Sequence, residues 1–74
     1  MTKLPRVKGK EVIRALRKLG FSILRIKGSH HFLTHPDGRC TVVPIHGNEI
    51  IGLGLLHKIL RDIEIDTKEF KNLL

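Results

Sequence analysis

Five histidines stand in 74 residues, at positions 30, 31, 35, 46 and 57. Three of them fall within six residues, His30, His31 and His35. Imidazole offers two chemistries near neutral pH, metal ligation and proton transfer. The spacing argues against the first. In an extended strand His30 and His31 point to opposite faces. His31 and His35 share a face but are separated by four residues, about 13 Å at about 3.3 Å per residue. Two ligands of one zinc must each lie about 2 Å from it. Cys40 is the single cysteine, and no carboxylate group completes a set. The expectation is therefore no metal and no cofactor.

Proton transfer remains. Lys27-Gly28-Ser29-His30 places an imidazole beside a cation, with Arg25 two residues earlier. That is what cleavage of an RNA backbone needs. A base removes the 2′-OH proton, the oxygen attacks the adjacent phosphorus, and cations stabilise the charge on the phosphoryl oxygens. Gly28 allows a phosphate to approach closely, and backbone N–H groups with the Ser29 hydroxyl supply donors. The plainer reading makes Gly28-Ser29 an ordinary hairpin turn and His30 the first residue of a strand.

The charge distribution favours a polyanionic partner. Lys plus Arg number 14 against 7 acids, a formal net of +7. Residues 1–27 carry Lys3, Arg6, Lys8, Lys10, Arg14, Arg17, Lys18, Arg25 and Lys27 against one acid, Glu11. The whole excess lies in the first third, and nucleic acid is the usual target of such a field. The alternative is a solvated face with no partner.

These side chains need elements to hold them. Lys10–Leu19 reads as a helix, with Val12, Ile13, Leu16 and Leu19 at helical spacing and Gly20 as its stop. Lys10, Arg14, Arg17 and Lys18 form a basic stripe on its other face. Strands are expected at Phe21–Ile26, His30–His35 and Arg39–Ile45, with a turn at Pro36-Asp37-Gly38. Residues 46–52 read as a loop. A second helix starts from Gly54 with Leu56, Ile59, Leu60 and Ile63 inward. His57 is expected to be an exposed residue of it. Asp66 and Glu69 have the spacing of a capping box, opening a short last helix. The predicted fold is α+β: a three-stranded antiparallel sheet with helices on one face. The length allows one domain, residues 1–74. The apolar window Ile50–Leu56 is too short to span a bilayer, and the first ten residues lack the apolar run of a signal peptide. The single cysteine also excludes an internal disulfide. These points predict a cytoplasmic protein.

The chain resembles the HicA toxins of bacterial and archaeal toxin–antitoxin pairs, also called YcfA-like proteins. The likeness rests on KGKEVIRALRKLGF, KGSHHFLTHPDGRCTVVPIHGNEI and GLLHKIL, from about Lys8 to Leu60. Its most specific parts are Gly-Ser-His after the first strand, His-Pro-Asp-Gly at the hairpin and Pro-x-His-Gly after the third strand. The resemblance implies a fold similar to the double-stranded-RNA-binding domain. It also implies an mRNA interferase, with mRNA as substrate and a HicB-type antitoxin as partner. The essential histidine of such toxins falls on His30. Cys40-Thr41 and the apolar loop 48–52 depart from the family pattern, which usually has basic residues there. A second histidine serving as general acid is chemically reasonable, and His46 is the candidate. Two other readings stay open: a non-catalytic RNA-binding module of the same fold, and a subunit whose basic face docks an acidic protein.

The hairpin register sets which face carries His30. With a three-residue turn, His35 pairs with Arg39 and His30 lies opposite Pro44. His30, Phe32, Thr34, Cys40 and Val42 then share one face. His31, Leu33, His35, Thr41, Val43 and Ile45 share the other. Pattern alone does not choose between them. A base that reaches RNA must be exposed, so Leu33, Val43 and Ile45 are expected to face the helices.

Overall fold

The computed structural model describes residues 3–74. Helix α1 spans Gly9–Lys18. Strands β1 (Ser22–Lys27), β2 (His30–Thr34) and β3 (Cys40–Pro44) follow, then α2 (Leu53–Ile63) and α3 (Thr67–Asn72). The strands form one antiparallel sheet in the order β1-β2-β3. The α-β-β-β-α-α layout is the expected α+β architecture, with element ends shifted by one or two residues.

The register is the expected one. His30 faces Pro44, Phe32 faces Val42 and Thr34 faces Cys40. The His35 N–H donates to the Arg39 carbonyl at 2.9 Å, which closes the three-residue turn. Leu33, Thr41 and Val43 are buried, Ile45 is partly buried, and His30 and Cys40 are exposed. The apolar alternation of β2 and β3 therefore turns inward on the residues that leave His30 outside.

The core is aliphatic. Leu16, Val12, Leu33, Val43, Leu56, Ile59 and Ile63 are fully buried, and Phe70 of α3 is the largest side chain among them. Deleting such a ring costs about 3–5 kcal/mol, so the short last helix contributes to the core out of proportion to its length. Asp66 begins it by accepting the Glu69 N–H at 2.7 Å, as its spacing predicts. At α1 the Glu11 carboxylate accepts the Lys8 N–H at 2.9 Å. Lysine has no acceptor to return, so only this half of a capping box is made.

The helices pack on the β3 side of the sheet, through α2 and α1. Gly9 makes this possible: a Cβ there would lie 2.5 Å from the Pro44 carbonyl oxygen. Strand β1, farthest from the helices, is left largely in solvent. Leu24 is 69% exposed and Ile26 57%. Between Ile23 and Arg25 the β1–β2 register shifts, so Leu24 has no partner in β2. The sequence offers no glycine or proline to mark this bulge. Residues 46–52, expected as a plain loop, also contain a bridge from Ile50 to Lys8. The Ile51 N–H donates to the Val7 carbonyl at 2.7 Å.

Candidate active site

Lys27 and His30 are direct partners across the β1–β2 hairpin, and His30 and Pro44 across β2–β3. Direct partners project to one face with Cβ atoms about 4.5–5.5 Å apart. Lys27, His30 and Pro44 therefore form a row on the face away from the helices. The next row is Arg25, Phe32 and Val42. The Arg25 guanidinium lies 4.7 Å from the centroid of the Phe32 ring, a cation–π contact that holds the charge over the sheet.

The turn between Lys27 and His30 is short and well fixed. Gly28, with φ of 59°, stands first of its two central residues. This is the position at which a type II′ hairpin demands glycine. The Ser29 carbonyl accepts the Ile45 N–H at 2.8 Å and stands 3.1 Å from His31 Nδ1. A carbonyl only accepts, so Nδ1 carries the proton in that bond. His31 is thus a brace for the turn, a role its place in the histidine cluster did not disclose. The Ser29 hydroxyl lies 3.5 Å from His46 Nε2, at the outer limit of a hydrogen bond. The chain has brought His46 back beside the residue that precedes His30.

His35 occupies the opposite end of β2. Its Nε2 lies 3.0 Å from the Leu19 carbonyl, and its Nδ1 accepts the Asp37 N–H at 3.1 Å. Its ring meets Phe21 edge-on, with centroids 5.0 Å apart. A carbonyl only accepts, so Nε2 carries a proton in the bond to Leu19. The Asp37 carboxyl in the same turn is held below the usual carboxylate range, chiefly because the Arg39 N–H donates to it. Arg39 also reaches back to the Ile63 carbonyl at the end of α2. This end of the sheet is bonded to the helices.

The structure assembles only part of the expected RNA-binding set. Arg25, Lys27, Gly28 and Ser29 gather around His30. Lys10, Arg14, Arg17 and Lys18 are exposed on α1, which packs on the sheet from the face opposite His30. Lys18 Nζ donates to the Leu73 carbonyl at 2.7 Å, tying α1 to the end of α3. His57 is exposed on α2, as expected. Among the described residues, no group of three or more His, Cys, Asp or Glu side chains stands together where a metal could bind. No helix among them is long and apolar enough to cross a membrane.

Two concavities flank the row of His30. One, of about 390 Å³, is lined by Leu24, Phe32 and Val42 together with the inward-facing Leu33 and Thr41 and with Lys58 and Asp62 of α2, so it reaches beyond the open face. The other, of about 220 Å³, lies where β3 runs toward α2 and is lined by Pro44, His46, Glu49, Ile50, Ile51, Gly52 and Leu55. Sequence reasoning found neither. The signal for the second was Gly47, whose φ of 59° turns the chain between His46 and Glu49.

An exposed imidazole on a short turn, flanked by cations on the open face of an α+β sheet, marks one surface of this small basic protein. Residues 9–65 match the family described as HicA toxin of bacterial toxin-antitoxin. The match covers well over half of the chain, which belongs to this family of toxins. Membership implies an antitoxin as partner. No curated protein matches the chain.

Proposed function

We propose that the chain is an endoribonuclease toxin that cleaves mRNA in the cytoplasm, with His30 as general base. The observation that carries this reading is the position of His30: exposed, beside Lys27, on a turn whose backbone is bonded twice at Ser29. In the reaction His30 takes the proton of a ribose 2′-OH. The 2′-oxygen bonds to the adjacent phosphorus as the bond from phosphorus to the 5′-oxygen breaks. The departing 5′-oxygen takes a proton from His46, present as its imidazolium. The products are a 2′,3′-cyclic phosphate and a 5′-hydroxyl, and no metal takes part. Lys27 and Arg25 offset the charge that grows on the phosphoryl oxygens.

The open face also supports a place for the partner. Leu24 is exposed on the outermost strand, and the groove it shares with Phe32 and Val42 is apolar. An exposed apolar patch is a docking surface in most proteins that keep one. A HicB-type antitoxin seated there covers His30 and explains inhibition by occlusion.

The test is incubation of the purified chain with single-stranded RNA, with and without EDTA. The expected result is cleavage in both, leaving cyclic phosphate ends. Binding without cleavage would establish the alternative, an RNA-binding module. Cleavage lost to EDTA and restored by a divalent metal would refute the proton-transfer mechanism.

A further inference from the structure

We propose that the pocket between the end of β3 and the start of α2 recognises one guanine base of the RNA, with Glu49 reading its Watson–Crick edge. The inference rests on the RNA-cleaving reading above and extends it to sequence preference.

Three observations converge on the pocket. The first is continuity. Pro44 and His46 form part of its lining, Pro44 is the direct partner of His30, and His46 touches Ser29. A nucleotide whose phosphate lies at His30 has a neighbouring base within reach of this opening.

The second is construction. The floor is tied down by the Lys8–Ile50 bridge and by the bond from Ile51 to Val7. The rim is a turn in which the Glu49 N–H donates to the His46 carbonyl at 3.0 Å. His46 and Glu49 are therefore the two ends of one β-turn, less than about 7 Å apart at Cα. The volume, about 220 Å³, is below the roughly 300–1,000 Å³ of pockets that hold drug-sized ligands. It suits a base ring and not a whole nucleotide.

The third is chemistry. Ile50 is 46% exposed and Leu55 36%. With Pro44 and Ile51 they form apolar walls of the kind that cover the flat faces of a base. Glu49 is the one acid of the lining. On a chain of net charge +7, a carboxylate beside the phosphate site repels the backbone it is meant to meet. It is useful there if it accepts hydrogen bonds from a base. A carboxylate only accepts, through two oxygens side by side. Guanine alone presents two adjacent donors on its Watson–Crick edge, N1–H and the N2 amine. Adenine, cytosine and uracil each present one.

The experiment uses the full chain carrying His30→Ala, so that RNA stays intact, and short RNAs with a single guanine replaced in turn by inosine, adenine or uracil. Binding is read by fluorescence anisotropy at fixed salt, and the site by NMR shifts of the Ile50, Ile51 and Leu55 methyl groups. The expected result is a loss of roughly 5- to 150-fold from guanine to adenine, the range of one bidentate base contact. A smaller loss is expected for inosine, which keeps N1–H. Glu49→Gln should abolish the preference while the methyl shifts persist. Glu49 is exposed, so this variant is expected to fold, as circular dichroism would confirm. Equal binding of all four RNAs, an unchanged preference in Glu49→Gln, or methyl shifts elicited by an antitoxin peptide and not by RNA would overturn the proposal. Binding here needs no cleavage, so the two readings fail separately. Guanine-selective binding by a chain that never cuts RNA would sink the catalytic assignment alone. Cutting without base preference would sink the pocket alone.

Discussion

At one end of β2 the turn into β3 is bonded on every side. At the other, the turn from β1 presents its groups to solvent. Both contain a histidine within one residue of the strand end. His35 spends Nε2 on the Leu19 carbonyl, Nδ1 on the Asp37 N–H and its ring edge on Phe21. Among the described residues, His30 makes no protein hydrogen bond through its ring, and its neighbours are Lys27 and Pro44. The same side chain is a strut in one place and a candidate reagent in the other. What separates them is the packing behind each turn. The β2–β3 turn lies against the ends of α1 and α2, where carbonyls need donors. Among the described residues, no hydrogen bond joins the β1–β2 turn to a helix, and Lys27, Gly28 and His30 are exposed.

The largest effect expected from this contrast is on activity. His30→Ala should lower RNA cleavage by roughly 10²–10⁴-fold, the usual contribution of a general base. Its melting temperature should stay close to that of the parent, because the side chain is exposed. Cleavage and melting curves on the same preparation check both halves. A folded variant that still cuts RNA and arrests growth would remove His30 from the mechanism.

His46→Ala sharpens the assignment of the second proton. Loss of the general acid should slow cleavage by about 10²-fold, at the lower end of the range for one proton-transferring group. The deficit should shrink when the 5′-oxygen is replaced by a better leaving group, such as a nitrophenolate, which needs no proton. A deficit equal on both substrates would assign His46 to binding.

The reverse pattern is expected at the closed turn. His35→Ala removes a donor from the Leu19 carbonyl, an acceptor from the Asp37 N–H and an aromatic contact with Phe21. The cost should be about 1–3 kcal/mol of stability, measured by urea unfolding. Cleavage assayed well below the melting temperature should be nearly unchanged. A large loss of activity without loss of stability would erase the distinction between the two turns.

Much of this contrast was legible in the residues. The turn at Pro36-Asp37-Gly38 fixed the register of β2 and β3 through ordinary turn chemistry, and with it the side on which His30 lies. Helix α1 was visible from its apolar spacing, and α3 from Asp66 and Glu69. The role of His31 was not visible, because it depends on a carbonyl two residues away whose direction is set by the turn. The separation of α1's basic stripe from His30 was also hidden. Charge along the sequence adds up, but a sheet lies between the two surfaces in space. The Leu24 bulge and the pocket beside His46 arise from long-range pairing, the latter from Lys8 with Ile50, for which local pattern carries no signal.

The smallest effect concerns the acid that completes the closed turn. Asp37 is exposed, and its carboxyl is held below its ordinary pKa of 3.8 chiefly by the Arg39 N–H; desolvation opposes this, and the Arg39 side chain and His35 add smaller lowering effects. A carboxylate whose pKa falls on folding contributes stability above its unfolded pKa and loses it as pH falls through the folded one. Asp37→Asn keeps an oxygen for the Arg39 N–H but removes the charge that faces Arg39. The variant should therefore be slightly less stable than the parent near neutral pH, and the difference should close as pH drops below the ordinary carboxylate range. Salt should shrink the gap at neutral pH, since the pair is open to solvent. Urea midpoints measured across acid and neutral pH check the sign. A gap that widens in acid would mean the charge opposes the turn, and that Asp37 serves it only as a neutral acceptor.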